Sequence, residues 1–161
     1  MKKQNNPHDT TFKNLAREKV FAQAFVRQYF SSEELAFINI DSMELWNASY
    51  MGEADDEYHS DVVYQVQTKK GMGYIIFLFE HQSTADEMMA FRTLEYSVFL
   101  MRQHLQQGHS QLPVVIPIVF YHGKKSPYPY STDVFDCFEN PVLAKQYYMR
   151  PFKLIDVTII P

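Results

Sequence analysis

A chain of 161 residues, 46% hydrophobic and 16% aromatic with 13 Phe and 11 Tyr, suits one domain with a bulky core and excludes a disordered or loop-rich scaffold. The single cysteine, Cys137 in "VFDCFE", excludes an internal disulfide, and its apolar company marks a core or boundary residue rather than a nucleophile. A formal charge of −4 argues against a passive, high-affinity nucleic-acid binder but not against an enzyme acting on nucleic acid, because cations held by clustered carboxylates change the local field.

The opening "MKKQNNPHDT" has lysines but no apolar h-region, and no uninterrupted apolar run reaches membrane-spanning length. A cytoplasmic protein without a membrane partner is the expectation. "HDTTFKNLAREKVFAQAFVRQYF" predicts one helix to about Phe30, with Asp9 or Thr10 as N-cap and Phe12, Leu15, Ala22, Val26 and Tyr29 near one face; Glu18 falls on a solvated face. Ser31 and Glu34 have capping-box spacing for a short helix, followed by a weakly patterned stretch through Trp46. "GEADDEYHS" is acidic and turn-like.

The period then changes. "SDVVYQVQTKK" alternates as a half-buried strand, and "GYIIFLFEHQ" is a continuous apolar run that predicts a strand buried on both faces. "KKGMG" supplies the glycines of a tight turn between them. In "STADEMMAFRTLEYSVFLMRQHLQQG", Thr84 and Glu87 have capping-box spacing, and Met88, Phe91, Leu94, Val98, Met101 and Leu105 recur at helical steps, a stripe read as core. "PVVIPIVFYHG" is a further buried strand with Pro117 tolerable near an edge or a bulge, "KKSPYPYS" a loop, "NPVLAKQYY" a short helix and "FKLIDVTII" a last strand. The order implies an α/β fold with a mixed central sheet flanked by helices.

A hairpin centred near Gly71 sets residues summing to about 142 opposite one another, so Asp61 faces His81 and neighbours Glu80 or Gln82, with directly opposed Cβ atoms roughly 5 Å apart. Glu80 and Gln82 share a face by alternation. Two converging carboxylates repel unless one is protonated or a cation lies between them, and all-oxygen donors suit Mg²⁺ or Mn²⁺ better than zinc. Such an ion polarises a phosphoryl oxygen and activates water, the two needs of phosphodiester hydrolysis. The plainer alternative is that Glu80 marks where a buried strand meets water and Asp61 ends a turn; spacing alone does not separate the two.

"HDTTFK", "SDVVYQVQT", "GYIIFLFEHQS", "MAFRTLEYSVFLMRQHLQQGH", "LPVVIPIVFYHGKKSPYPYS" and "PFKLIDVTIIP" resemble successive blocks of the recombination-promoting nuclease family, also known as YhgA-like transposases, from about His8 to Pro161. That family is similar to the PD-(D/E)XK nucleases, which implies a restriction-endonuclease-like core and a Mg²⁺- or Mn²⁺-dependent DNA endonuclease with DNA as partner. The resemblance implies Asp61 and Glu80 as catalytic metal-binding acids, a metal contact from the His81 carbonyl, and Gln82 where the motif has lysine. Glutamine offers a neutral donor and acceptor in place of a positive charge, so catalysis would lean harder on the metal. Residues 1–161 are then one nuclease domain, the N-terminal part of a longer protein, with self-association left open.

Secondary candidates carry weaker signals. Lys124 and Lys125 ahead of Tyr128 and Tyr130 offer ammonium groups for phosphate and rings for bases, against the reading of an ordinary surface loop. Asp9 is either a helper acid or a helix cap. His59 and His122 read as polar termini, and six histidines without HExxH or paired spacing argue against zinc. The rival to the enzyme is a non-catalytic nucleic-acid-binding or protein-interaction domain that kept the fold; a true transposase would need a third metal-binding acid, which the sequence does not place.

Overall fold

The computed structural model describes residues 7–46, 61–80 and 85–158. A four-stranded mixed sheet carries helices on both faces: α1 (Pro7–Arg17), α2 (Lys19–Tyr29) and α3 (Ser32–Phe37) precede β1 (Ile38–Leu45), β2 (Val62–Thr68) and β3 (Gly71–Glu80). α4 (Met89–Gln106) then crosses to β4 (Val114–Tyr121), and α5 (Pro141–Tyr148) follows a short 3₁₀ turn at Val134–Cys137. The sheet order is β1-β2-β3-β4, with β3 and β4 parallel and the other pairs antiparallel. This is the expected α/β architecture, compatible with a restriction-endonuclease-like core.

β3 lies inside the sheet with helices on either side, and the continuous run "GYIIFLFE" is buried from Gly73 to Glu80. Its odd residues Ile75, Phe77 and Phe79 pack with Val62, Tyr64 and Val66 of β2 against Ala16, Ala22 and Val26 of the first two helices. Its even residues Tyr74, Ile76 and Leu78 pack with Val63 against Met89, Tyr96 and Leu100 of α4. Every side chain leaving β3 therefore points to one of two cores, so the face of its last residue is fixed.

Several expectations are corrected. The first long helix is two helices: Glu18 takes an extended conformation (ψ 116°) and starts α2, so the phase of the apolar face shifts and Tyr29 turns outward while Ala16 turns inward. The break removes a helical partner from the Ala16 carbonyl, which instead accepts a buried hydrogen bond from the Tyr64 hydroxyl at 2.9 Å. Helix α1 opens at Pro7, which places Asp9 in the first turn rather than at the cap. The stretch before Trp46 is a strand, β1, whose alternation is hidden by a bulge between Asn39 and Glu44. There Ser42 fills the ladder, accepting from Gln67 N at 2.8 Å and donating to Asn39 O at 2.6 Å.

The hairpin turn is Lys69–Lys70, with Thr68 opposite Gly71 (φ +88°), so paired residues sum to 139 rather than 142. Residues 151–158 form no strand. Ser31 and Glu34 do form the reciprocal capping box. Among the described strands β4 lies at the edge of the sheet, where Pro117 is tolerated, and it is half-buried rather than buried as expected. The acidic stretch around residues 52–60, with His59, and the Thr84 cap lie outside the described residues.

The Tyr64 bond ties the broken helix pair to the sheet. Tyr64→Phe should cost about 1 kcal/mol, the usual net worth of a buried neutral hydrogen bond, read as a lower urea midpoint with unchanged slope. An unaltered midpoint would show that water replaces the hydroxyl.

Candidate active site

Alternation along β2 puts Val63 on the α4 side of the sheet, and Asp61, two residues earlier, follows it to that side. Alternation along β3 carries Tyr74, Ile76 and Leu78 to the same side, and Glu80 with them. Extending the observed pairing by one step sets Asp61 opposite Leu78, with Glu80 its diagonal neighbour at a typical spacing of about 7–8 Å, whereas the expected register set Asp61 opposite His81 with Glu80 or Gln82 beside it. The three-residue slip moves the partner but leaves the two acids on one face at one end of the sheet.

Helix α4 closes over that end with Arg92 and Tyr96, four residues apart and hence on one helical face. The Tyr96 hydroxyl donates a hydrogen bond to Asp61 Oδ2, and the Phe79 N–H donates to Asp61 Oδ1 at 3.4 Å. Arg92 Nη1 lies 3.7 Å from Glu80 Oε2 and 3.9 Å from Asp86 Oδ2. Glu80 is 1% exposed, a burial that a carboxylate tolerates only beside compensating charge. Its main chain is held too: the carbonyl accepts from His122 N at 2.9 Å just past β4.

Burial pushes the Asp61 carboxyl above its ordinary range. The Tyr96 hydroxyl, the Phe79 N–H and the charges of Arg92 and Lys13 pull it back only in part. The Tyr96 phenol is pushed up by burial and then by Asp61, so it remains a donor at all ordinary pH. Lys13, half-buried on α1, has its ammonium pushed down by desolvation and raised again by Asp61. Two acids thus stand between cations supplied by two helices.

The loop after β4 lies against the same corner. Tyr128 packs on the α4-side core, donates to Asp86 O at 3.1 Å, and has its phenol pushed up first by burial and then by the charges of Glu80 and Asp86. Its ring meets Tyr121 edge-on at 4.9 Å and Tyr130 at 6.1 Å between centroids. Lys124 and Lys125 are exposed on this loop, and Tyr121 fixes it by donating to Lys125 O at 2.8 Å. The lysines are exposed on the loop that carries Tyr128, and Tyr128 spends its ring on packing.

Of the residues marked in the sequence, Asp61 and Glu80 come together; His81 and Gln82 lie outside the described residues. Among the described residues no group of three or more Asp, Glu, His or Cys side chains is placed to hold a metal. A buried and a half-buried carboxylate on one face are nonetheless a donor set that fits Mg²⁺ or Mn²⁺, which commonly take one or two carboxylates and complete their shell with water and phosphate oxygens. Sequence reasoning missed Arg92, Tyr96, Lys13 and Asp86. The signal for the first two was an i, i+4 pair of polar residues on the helix that follows the acid-bearing strand.

A family described as "Putative transposase, YhgA-like" matches residues 6–161. The recombination-promoting nuclease RpnA of Escherichia coli K12 is 41% identical over 160 residues, covering 99% of this chain and 55% of the relative. RpnD of E. coli O157:H7, likewise named a recombination-promoting nuclease, is 37% identical over 98% of this chain and 61% of its own length. RpnE of E. coli K12, named an inactive recombination-promoting nuclease-like protein, is 38% identical over 98% of this chain and 52% of its own. The chain spans about half the length of these relatives, and no solved structure matches it. With its mixed sheet, its paired acids and a match along nearly its whole length, the chain belongs to the YhgA-like transposase family, to which the recombination-promoting nucleases are its similar relatives.

Proposed function

We propose that this domain is a Mg²⁺- or Mn²⁺-dependent DNA endonuclease of the PD-(D/E)XK type. The observation that carries the reading is the delivery of Asp61 and Glu80 to one face at one end of adjacent strands, both desolvated and both beside Arg92. A divalent cation held by Asp61 and Glu80 would supply Lewis acidity at a phosphoryl oxygen and a water of lowered pKa.

The chain's own residues divide the remaining work. Tyr96 fixes the Asp61 carboxylate in one rotamer and keeps its Oδ2 polarised. Arg92 supplies, from α4, the positive charge that the motif's lysine would have supplied and Gln82 lacks, at a point where charge accumulates on phosphorus-bound oxygens. Gln82 orients the attacking water through its neutral amide. Lys124 and Lys125 bind backbone phosphates beside the corner and so position the strand without reading its sequence.

The competing reading is a domain that retains the fold without cleavage, favoured by the 38% identity to a relative named inactive. Supercoiled plasmid incubated with Mg²⁺, Mn²⁺ or chelator separates the two. Cleavage should require the cation and fall by at least about 10²-fold in Asp61→Asn and Glu80→Gln. Plasmid left intact by the unaltered chain under every cation sinks the nuclease reading. Arg92→Met should keep the rise in melting temperature on adding Mn²⁺ but lose cleavage by roughly 10²-fold, whereas the two acid variants lose both.

Asp61 also predicts a pH dependence in chelator. Its folded pKa is raised, so between the ordinary carboxylate range and that raised value the native state holds a proton that the unfolded chain has released. Stability therefore falls as pH rises through this window and does not recover above it. Asp61→Asn should remove that slope and be the more stable protein at neutral pH. Equal slopes for the two proteins in urea melts would show that Asp61 is already ionised at the low end.

A further inference from the structure

The apolar stripe of α4 faces outward. Phe91 (39% exposed), Leu94 (42%), Val98 (44%) and Leu105 (42%) lie at the surface with the half-buried Met101 between the last two, while Met89, Ala90, Tyr96, Ser97, Leu100 and His104 face the sheet. Among the described residues, the stripe expected as core is therefore not this helix's packing face. Its spacing of three, four, three and four residues is that of a heptad seam running along a helix of 18 residues, about 27 Å long. An ordered apolar row of this length marks a contact surface rather than scattered surface residues.

We propose that this seam is a self-association surface on which α4 packs antiparallel against α4 of a second copy of the chain. The charges beside the seam select this occupant. Glu95 and Arg102 are both exposed and seven residues apart, so they occupy the same heptad position on the same flank. In an antiparallel pair, Leu94 meets Leu105 and Val98 meets Met101 across a two-fold axis, which brings Glu95 of each copy beside Arg102 of the other. One self-complementary patch thus satisfies both ion pairs, as an isologous interface demands. A parallel pair loses this match, because its flanking partners would be Ser97 and His104, which are buried against the sheet. The charge pattern along one helix is complementary to its own reversed copy.

The test is the mass in solution of this chain by equilibrium sedimentation. Two chains of 19.0 kDa should give a species of 2 × 19.0 = 38.0 kDa. Val98→Glu should leave a 19.0 kDa monomer with unchanged helical circular dichroism. Charge variants guard against a folding defect: Glu95→Arg alone should weaken association by about tenfold, and Glu95→Arg with Arg102→Glu should restore it to within about threefold. A wild-type chain that stays at 19.0 kDa up to about 100 µM overturns the proposal, that concentration lying above the micromolar range of modest specific interfaces. So does a dimer indifferent to Val98→Glu and to both charge variants, which would leave the stripe to another region of a longer chain or to a different protein.

Discussion

A carboxylate at the end of a strand buried on both faces is the constraint on which this structure turns. β3 cannot place Glu80 in water, because the same alternation that fills the two cores with Tyr74 through Phe79 carries Glu80 beneath α4. Burial of an acid is tolerable only with charge or hydrogen bonds around it. Arg92 meets this demand at Glu80, while Tyr96 and the Phe79 N–H meet it at Asp61. Burial still leaves the Asp61 carboxyl above its ordinary range, so the compensation within the chain is incomplete.

The same constraint explains the orientation of α4. Three polar contacts run along its inner face: Arg92 to Glu80, Tyr96 to Asp61, and His104 to the Tyr74 hydroxyl at 3.0 Å. A helix that must present these groups to the sheet cannot also present Phe91, Leu94 and Val98. Leu100 and Met89 supply the remaining apolar contact inward, and the heptad seam is left on the outside. The polar chemistry of the site and the apolar outer surface of the helix are thus two sides of one rotation about the α4 axis.

Family membership narrows the chemistry without deciding it. Relatives named as nucleases and a relative named as inactive match this chain at nearly the same identity. Within this chain, Arg92 brings to the acid corner a fixed positive charge that glutamine at position 82 does not have.

The sequence by itself determined the α/β class, the doubly buried β3 and the capping box at Ser31, because local propensity, period and turn residues are encoded within a few neighbours. The face shared by the two acids survived an error of three residues in the turn, since the alternation of β2 and β3 was read separately from the register. Only the tertiary structure decided which face of α4 turns inward. Hydrophobic periodicity identifies an apolar stripe but not its partner, and here polar groups at a strand end outweighed it. The break at Glu18, the bulge that hides β1, and the convergence of Lys13, Arg92 and Tyr96 on Asp61 likewise depend on contacts between segments far apart in the chain, whose free energy no local window contains.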